Sequence, residues 1–452
     1  MSTTHDLAQD LLRGKIGRRE FVTRALALGV SLSGVEAILQ SCGGGGGGAP
    51  SATTVTWTTW GSPGELDRFN KFTADFNSKH SDVKAQLIPI PDVTNYSAKI
   101  LTEITSHKAS DLFYAFDEDI ARYIKDNTVL ELTSLLNGPN SQSKPDDFYP
   151  GLWGVVKTPD GKIYGVPNDC NPLILWVDKQ VLHQAGVSTM PMDLYTQGKW
   201  TRDAFQSMIE KVHRKGQYGY ILDDWNFVWY SWVTTNGGTF YDNNGNGKFV
   251  AHQDPKAVEA FTWLADNVRA KNMIFAGTLP KGQDPGLPFM AKQVAFVDAE
   301  RWYLPEFKQV SGLQYDIVPF PPNTGKPIEP TVVPVSYLVI NAATKHPNEA
   351  FEFLTNFVSA AGQTFRLSGG GNAVPSIKGS DQVVLQGNNP AHAQVFLDAR
   401  NIGYAIFPSE SRYPGLAQDL QTVIDAIWLK GADVQTTLNK AATLANSRIS
   451  PS

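Results

Sequence analysis

The sequence predicts an α/β protein made of two doubly wound lobes, and three observations support this prediction. At 452 residues the chain is longer than the roughly 250 to 300 residues at which a single core stops growing. Runs of β-branched and aromatic residues alternate with stretches in which apolar residues recur every three or four positions, which is typical of strands alternating with helices. The alternation occurs twice, once on each side of residues 163–179.

The first alternation begins at residues 54–60, TVTWTTW, which are rich in strand-forming residues. A helix is expected directly afterwards, because Ser62 and Glu65 fit a capping box and Pro63 stands at the first helical position. The next elements are predicted as a strand at 82–90, a helix through Tyr96, Ile100 and Ile104, a strand at 111–116 and a short helix at 119–126. This order, βαβαβ, is half of a doubly wound parallel sheet.

The second alternation follows the same logic. Its predicted elements are a helix capped by Thr201, a strand at 218–222, a helix opened by Asp254 and Pro255, and a strand at 294–299. Residues 320–334 are too rich in proline for a central strand or a helix interior, so they are expected to connect the lobes. The remaining chain is expected to be mostly helical, at 347–358, 391–401, 415–429 and 434–446.

The amino-terminal region predicts an export signal at residues 1–41 and a lipid-anchored tether at 42–53. A basic segment precedes about fifteen apolar residues, fewer than the ~20 that span a bilayer. Arg18 and Arg19 resemble a twin-arginine signature, and the residues ending at Cys42 resemble a lipobox, in which the cysteine sulfur carries diacylglycerol. The glycines that follow behave as a flexible coil. An amphipathic surface helix with a buried cysteine is the alternative, and it leaves these glycines unexplained.

The export route stays open between the twin-arginine and general secretory pathways. Gly17 stands where serine or threonine is usual, and Glu36 places a charge inside the apolar run.

Composition limits the other classes of function. The net charge is −5 and no long basic run occurs, which argues against a nucleic-acid partner. Only two cysteines occur, so no disulfide framework is expected, and Cys170 is interpreted as a small buried hydrophobe.

Two motifs are interpreted as turns or tethers and not as cofactor sites. The glycine run after the lipobox matches a dinucleotide fingerprint in letters alone, since it precedes a strand instead of following one. Asp242, Asn244 and Asn246 fit the start of a calcium loop, but Gln253 occupies the position of the bidentate glutamate. A hairpin turn is favoured there, with calcium as the alternative. No cofactor is predicted.

Several segments follow one another along nearly the whole mature chain in a familiar order. They are TWTTWGSPGELDRFNKFTADFNSKHSDV, DGKIYGVPNDCNPLILWVDKQVLHQAGV, KWTRDAF, WYSWVTTNGG, AERWY, HPNEAFEFL and GNAVPS. In this order the chain resembles the extracellular solute-binding proteins of bacterial carbohydrate ABC transporters, the maltose-binding type. The resemblance implies a type II periplasmic-binding-protein-like fold with crossing hinge segments. Its lobes would comprise residues 54–168 with 328–376 and residues 169–327 with 377–448.

The same resemblance implies the function. We expect a monomeric, non-enzymatic receptor outside the cytoplasm, held at the cell membrane by a lipid on Cys42. It would capture a sugar or oligosaccharide between its lobes and deliver it to the membrane permease subunits of an ABC transporter.

Candidate ligand contacts come partly from position and partly from the resemblance. Ligands of open α/β sheets bind beyond the carboxyl ends of strands, where Trp60 and Ser62 stand. The other positions match family segments near the ligand. The full set is Trp60, Ser62, Asp117, Glu118, Asn168, Asp169, Asn171, Trp229, Trp302 and Tyr413. Core packing is the alternative for Trp60, and stabilisation of a helix N-terminus is the alternative for the carboxylates at 117–119.

Three tryptophans, Trp225, Trp229 and Trp232, have near-helical spacing, so at least one is expected in the core. At Trp302, Glu300 and Arg301 replace the small residue usual in the family, which leaves the local turn undetermined. The rival class is a glycoside hydrolase with two paired carboxylates, which sequence alone does not exclude. A lipid-anchored adhesion protein is a third class, but it would not need two hinged lobes.

Overall fold

A computed structural model describes residues 52–91, 93–281 and 283–449. The predicted export signal with Arg18 and Arg19, and the predicted lipidation site Cys42, lie outside the described residues. The strands are β1 Thr53–Thr59, β2 Val83–Pro89, β3 Leu112–Phe116, β4 Val166–Cys170, β5 Ile174–Asp178, β6 Tyr218–Leu222, β7 Met273–Phe275, β8 Val294–Ala299, β9 Tyr315–Val318 and β10 Val335–Ile340.

The helices cover both sheets, and the nine helices predicted from the sequence are all present. They are α1 Pro63–Lys79, α2 Tyr96–Thr105, α3 Asp117–Lys125, α4 Thr133–Asn137, α5 Lys179–Gln184, α6 Pro191–Thr196, α7 Arg202–His213, α8 Asn226–Thr235, α9 Pro255–Arg269, α10 Gly286–Met290, α11 Leu304–Phe307, α12 Pro347–Val358, α13 Ala360–Leu367, α14 Gln382–Leu385, α15 Gln394–Ile402, α16 Pro408–Ser411, α17 Leu416–Lys430 and α18 Val434–Arg448. Among the described residues, none of these helices is long and apolar enough to cross a bilayer.

The strands form two sheets of five. The first sheet has the order β2-β1-β3-β10-β4, and the second has the order β7-β6-β8-β5-β9. In the first sheet, β1 is parallel to β2 and β3, while β10 is antiparallel to β3 and β4. In the second, β6 is parallel to β7 and β8, while β5 is antiparallel to β8 and β9. The predicted α/β class with two wound sheets is confirmed, and each sheet also contains one reversed strand that the sequence did not predict.

The first helix shows how the sequence specifies these elements. Ser62 donates its backbone N–H to Glu65 Oε2 at 2.8 Å, and its hydroxyl accepts from Glu65 N, so the predicted capping box is confirmed. The buried face of α1 includes Phe69 and Phe72, which pack edge-on against Trp57 and Phe357 respectively. An apolar stripe of this kind fixes the helix on the sheet.

The chain passes between the two sheets through short segments that lie side by side. Asn171 N donates to Pro334 O at 2.9 Å, and Val333 N donates to Tyr404 O at 2.8 Å. Cys170 is buried at the end of β4, as predicted. β4 ends at Cys170, and all the predicted lobe boundaries, including the one after residue 168, stay a prediction.

The segment at 242–247, for which the sequence favours a hairpin turn and leaves calcium as the alternative, lies between two bridged residues. Tyr241 and Phe249 form an antiparallel bridge around it. Asp242 Oδ1 accepts from Lys248 N at 2.6 Å, and Asn246 Oδ1 accepts from the guanidinium of Arg412 at 2.9 Å. Two of the three candidate calcium ligands thus have an oxygen that accepts from an N–H donor, as is usual in a turn. In the described part of the chain, no group of three histidine, cysteine, aspartate or glutamate residues could hold a metal ion.

Candidate functional site

In each sheet, the reversed strand brings the carboxyl ends of the parallel strands next to the segments that cross between the two sheets. β4 ends at Cys170 and β5 begins at Ile174, so only three residues separate the edge of one sheet from the edge of the other. Because the parallel strands β1, β3, β6 and β8 end at these same edges, their following residues face the crossing region. We call the residues at the carboxyl ends of the parallel strands in the first sheet the first edge, and those in the second sheet the second edge. The first edge comprises Trp60, Asp117 and Glu118. The second edge comprises Asp223, Trp225, Asp298, Glu300 and Trp302.

The first edge combines an aromatic face with carboxylates. Trp60 is half-buried and stacks on Phe116 with ring centroids 4.0 Å apart. Asp117 is buried, and its Oδ2 accepts from Val335 N at 3.1 Å. Burial raises the pKa of Asp117 to about 7, opposed by that hydrogen bond. Glu118 is exposed to solvent, and partial desolvation followed by repulsion from a neighbouring aspartate raises its pKa.

Ser62 and the residues of β4 have contacts within the fold. The hydroxyl of Ser62 serves the helix cap, although its side chain is exposed. Asn168 Nδ2 donates to Ser336 Oγ at 2.9 Å, and that hydroxyl donates to Asp169 Oδ1 at 3.0 Å. These bonds tie β4 to β10. Asn171, at the crossing, has a buried Oδ1 with no hydrogen-bond partner in the described structure. The Oδ1 of Asn168 is likewise buried without a partner among the described residues, but Asn168 is 0% exposed whereas Asn171 is half-buried, so Asn171 is the better placed of the two to accept from a ligand.

Trp229 is a correction to the predicted site. Its side chain is 0% exposed, and its ring packs against Phe240 and Phe261 at 5.7 Å between centroids. Trp232 is likewise fully buried, whereas Trp225 is 46% exposed at the N-cap of α8. Trp225 lies at the edge because β6 ends at Leu222, while Trp229 is one helical turn further into the core. We therefore assign Trp225, and not Trp229, to the second edge.

Trp302 lies at the second edge beside a buried carboxylate. Its ring is half-buried and stacks on Tyr303 with centroids 3.7 Å apart, and its Nε1 donates to Glu300 Oε2 at 2.5 Å. Burial raises the pKa of Glu300 to about 7, opposed by the indole hydrogen bond. Arg301 is buried and donates to the carbonyl oxygens of Gly371 and of Ala373, the latter at 2.7 Å. This anchor gives a physical role to the arginine that departs from the family pattern.

Sequence reasoning missed two further groups of acids. At the end of β8, Asp298 Oδ1 accepts from Tyr220 OH and from Asp223 N, the latter at 3.3 Å. Burial raises the pKa of Asp298 to about 7, and burial followed by the charge of Asp298 raises that of Asp223. The signal that could have found them is their position at the carboxyl ends of two strands that the sequence predicted.

The second missed group centres on Glu410, in the short helix α16. Its Oε1 accepts from Tyr241 OH at 2.6 Å and from Tyr230 OH. Burial, followed by the charge of Glu118 on α3, raises its pKa well above the usual range. Tyr413 is half-buried just beyond, and its N–H donates to Glu410 O at 3.1 Å. α16 also packs against α3, so Glu410 lies close to the first edge.

A pH dependence of stability follows from Glu300. Its pKa is about 7 in the folded protein against an ordinary value of 4.5, so the folded state binds more protons than the unfolded state between these values. The contribution of Glu300 to the free energy of unfolding is therefore expected to fall as the pH rises from about 4.5 to about 7 and to level off above. Urea unfolding at fixed pH values should show a shallower decline for Glu300→Gln than for the wild type. Identical slopes would contradict this assignment.

Comparisons with known proteins agree with this architecture. The family model of bacterial extracellular solute-binding proteins matches residues 61–364. The chain belongs to this family. The predicted family membership is thus confirmed, and membership supports a location outside the cytoplasm. Curated protein sequences give no match to this solute-binding protein.

Solved structures share the fold of this solute-binding protein at low sequence identity. The ABC substrate-binding protein Lmo0181 from Listeria monocytogenes has a TM-score of 0.76 at 18% identity, with 88% of this chain and 98% of that chain covered. MalE from Xanthomonas citri has a TM-score of 0.71 at 19% identity, with coverage of 88% and 98%. UgpB from Mycobacterium tuberculosis has a TM-score of 0.72 at 16% identity, with coverage of 89% and 98%. The predicted type II fold is therefore confirmed.

Proposed function

We propose that this protein is a receptor that binds a sugar or oligosaccharide between its two sheets and delivers it to an ABC permease without chemical turnover. The observation that carries the proposal is the pair of accessible indoles, Trp225 and Trp302, beside the carboxylates of the second edge. An indole covers the apolar CH face of a pyranose, while carboxylates accept hydrogen bonds from its hydroxyl groups. The hinge-like crossing segments would let the two edges close on such a ligand.

The relatives support a carbohydrate without fixing it. The Listeria protein was solved in complex with cycloalternan, and the Xanthomonas protein is described as sugar-binding. The Mycobacterium protein was solved in complex with glycerophosphocholine, so the shared fold accepts more than one ligand class. The residues at the two edges must therefore determine which class of ligand this protein binds. Their aromatic and acidic composition favours a carbohydrate.

A glycoside hydrolase remains the second candidate because the site contains several carboxylates. The observations favour binding over hydrolysis. Glu300 is fixed by the indole N–H of Trp302, and Asp298 is fixed by Tyr220. Neither arrangement leaves one carboxylic acid poised against a bond and a second carboxylate free on its other side, as hydrolysis requires. Membership in a family of solute-binding proteins points the same way.

A panel of sugars tests the function directly. Purified mature protein is expected to bind at least one oligosaccharide stoichiometrically in calorimetry, with the sugar recovered intact by chromatography. Ligand at 100 times its dissociation constant should stabilise the fold by about 2.7 kcal/mol and raise the melting temperature. Cleavage of the sugar would support the hydrolase, and no binding by any sugar would overturn the proposal.

We further propose that the mature protein begins at a lipidated Cys42 after export. The support is the lipobox-like sequence and the glycine tether that follows it. Cys42→Ala is expected to abolish labelling by a radioactive or clickable fatty acid and to release the protein from the membrane fraction. Cys170→Ala is the matched control, because that cysteine is buried in the fold and should not affect labelling. An unmodified thiol at Cys42 in the native protein would contradict the proposal.

A further inference from the structure

A buried arginine connects the second sheet to a loop that belongs to the first. Arg301 lies two residues after the end of β8, and its side chain is 1% exposed. Its Nη1 donates to the carbonyl oxygens of Gly371 and of Ala373, the latter at 2.7 Å. Its Nη2 makes a longer bond of 3.4 Å to Val383 O. One guanidinium therefore bonds to two carbonyl groups of the same loop.

We call residues 369–373 the glycine loop, and its contacts fix it to the first sheet. Directly after the loop, Val374 exchanges two backbone hydrogen bonds with Cys170, the last residue of β4, at 2.8 and 2.9 Å. Within the loop, Asn372 Oδ1 accepts from Arg68 Nη2 at 2.6 Å. Arg68 is a residue of α1, which packs on the first sheet. The bonds of Arg301 therefore join the two sheets.

A second cation of the same region also meets the glycine loop. Lys308 follows α11, and its Nζ lies so close to Gly370 that a Cβ at this glycine would stand only 2.8 Å away. Gly370 has a φ of +89°, a conformation that favours glycine. Desolvation, followed by repulsion from Arg301, lowers the pKa of Lys308. The glycine loop thus fits closely against two side chains of the second sheet.

These contacts depend on how the two sheets are oriented. Rotation about the crossing segments would move the glycine loop relative to β8 and separate Arg301 from its acceptors. Hydrogen bonds from a charged donor are stronger than those between neutral groups, so this separation opposes rotation. Trp302 is the next residue after Arg301, and its half-buried ring belongs to the second edge. The orientation held by Arg301 is therefore also the orientation in which this indole is presented.

We infer that Arg301 is a positioning residue, which ties the second sheet to the glycine loop and thereby sets the angle between the two sheets at which Trp302 is presented to a ligand. Arg301 itself does not line the ligand site, because its side chain is buried. The part of this inference that concerns the ligand rests on the proposed function. The inference adds the residue that sets the angle, which neither the family nor the fold specifies.

Small-angle X-ray scattering of the full chain without ligand tests the tie itself. Arg301→Met is expected to increase the radius of gyration, because the two sheets lose a bond that holds them together. Arg202→Met is the matched control. Arg202 is 4% exposed and donates to Asn236 Oδ1 at 2.8 Å and to Trp232 O at 3.1 Å, both in helices on the second sheet. Burial lowers the pKa of each arginine to about 10, so the two substitutions remove comparable buried cations. The control should lose stability and keep the radius of the wild type.

Two further variants separate positioning from general stability. Asn372→Ala frees the glycine loop from Arg68 without altering Arg301, and it is expected to increase the radius as well. Arg301→Lys retains one donor group for the loop carbonyl oxygens, so its radius should lie between those of the wild type and Arg301→Met. Circular dichroism and the melting temperature show that each variant is folded.

Ligand affinity gives the second measurement. Calorimetry with maltose, maltotriose and cellobiose is expected to show roughly fivefold or weaker binding by Arg301→Met of any sugar that the wild type binds, since fewer molecules have the binding orientation. Arg202→Met should bind that sugar like the wild type. If the wild type binds none of these sugars, the result counts against the proposed function, while the scattering comparison still decides the role of Arg301.

Three results would overturn the inference. Scattering of Arg301→Met and Asn372→Ala identical to that of the wild type would show that the tie does not set the angle. An equal increase of the radius in Arg202→Met would assign the effect to a general loss of packing. An increased radius in Arg301→Met with unchanged sugar affinity would remove the connection to Trp302 and leave the proposed function standing.

Discussion

Trp229→Ala is expected to lower the free energy of unfolding by about 3 to 5 kcal/mol, because it removes a large ring from a filled core. The indole is 0% exposed and contacts the rings of Tyr230, Phe240 and Phe261, with centroids 4.4 to 5.7 Å apart. Denaturant unfolding monitored by circular dichroism measures the loss. The variant protein that remains folded should bind ligand with an affinity close to that of the wild type.

Trp225→Ala is the matched partner, one helical turn earlier, with the opposite expectation. Its ring is 46% exposed, so truncation should change stability by less than about 1 kcal/mol. Ligand affinity should fall by about 2 kcal/mol, or roughly thirtyfold, because the ring surface offered to the ligand is lost. Unchanged affinity in Trp225→Ala would remove this residue from the site. A similar stability loss in both variants would contradict the division between core and edge.

Arg366→Ala is expected to destabilise the fold by about 3 to 5 kcal/mol, since it leaves a largely buried carboxylate without its cation. Arg366 is 1% exposed and reaches Asp169 Oδ2 at 3.3 Å and Asn168 O at 3.1 Å. Its guanidinium also lies over the ring of Phe357, at 3.9 Å from the centroid. Desolvation raises the pKa of Asp169 even beside this arginine, so loss of the charge partner should raise it further.

Lys71→Ala provides the comparison for Arg366→Ala. Its ion pair with Asp67 spans 2.7 Å, but both side chains are more than half exposed. Exposed pairs contribute about 0 to 1 kcal/mol, so this variant should unfold almost like the wild type. Equal losses in the two variants would show that Arg366 acts only as a surface charge.

Local signals in the sequence predicted half of the α-helices in the described structure, including most of the long ones. The capping residues Ser62, Thr201 and Asp254 each accept hydrogen bonds at the N-terminus of the helix predicted to follow them. These signals act over a few residues, so they can be read without knowledge of the fold. The strands β4, β5, β7, β9 and β10 were not predicted. Their pairing depends on residues far away in the chain, and no local pattern encodes the direction of a strand.

The candidate site was only partly predictable for a similar reason. Position after a strand identified Trp60 and the acids at 117–118. The exposed Trp225 differs from the core residue Trp229 only in burial, and burial depends on where the helix packs. Asp298 lies at the end of an apolar run that sequence reasoning treated as a plain strand. Whether such a carboxyl finds a partner is decided by tertiary neighbours such as Tyr220.

The position of β10 has a consequence for the order in which the protein is synthesised and folds. This strand lies between β3 and β4 in the first sheet, although it leaves the ribosome after the whole of the second sheet, which is formed by residues 174–318. The amino-terminal half is therefore synthesised with a gap in its sheet, because β3 and β4 both wait for residues 335–340. Long-range pairing of this kind slows folding, since a large loop must close before the contact forms. The first sheet is thus completed only after all strands of the second sheet have been synthesised.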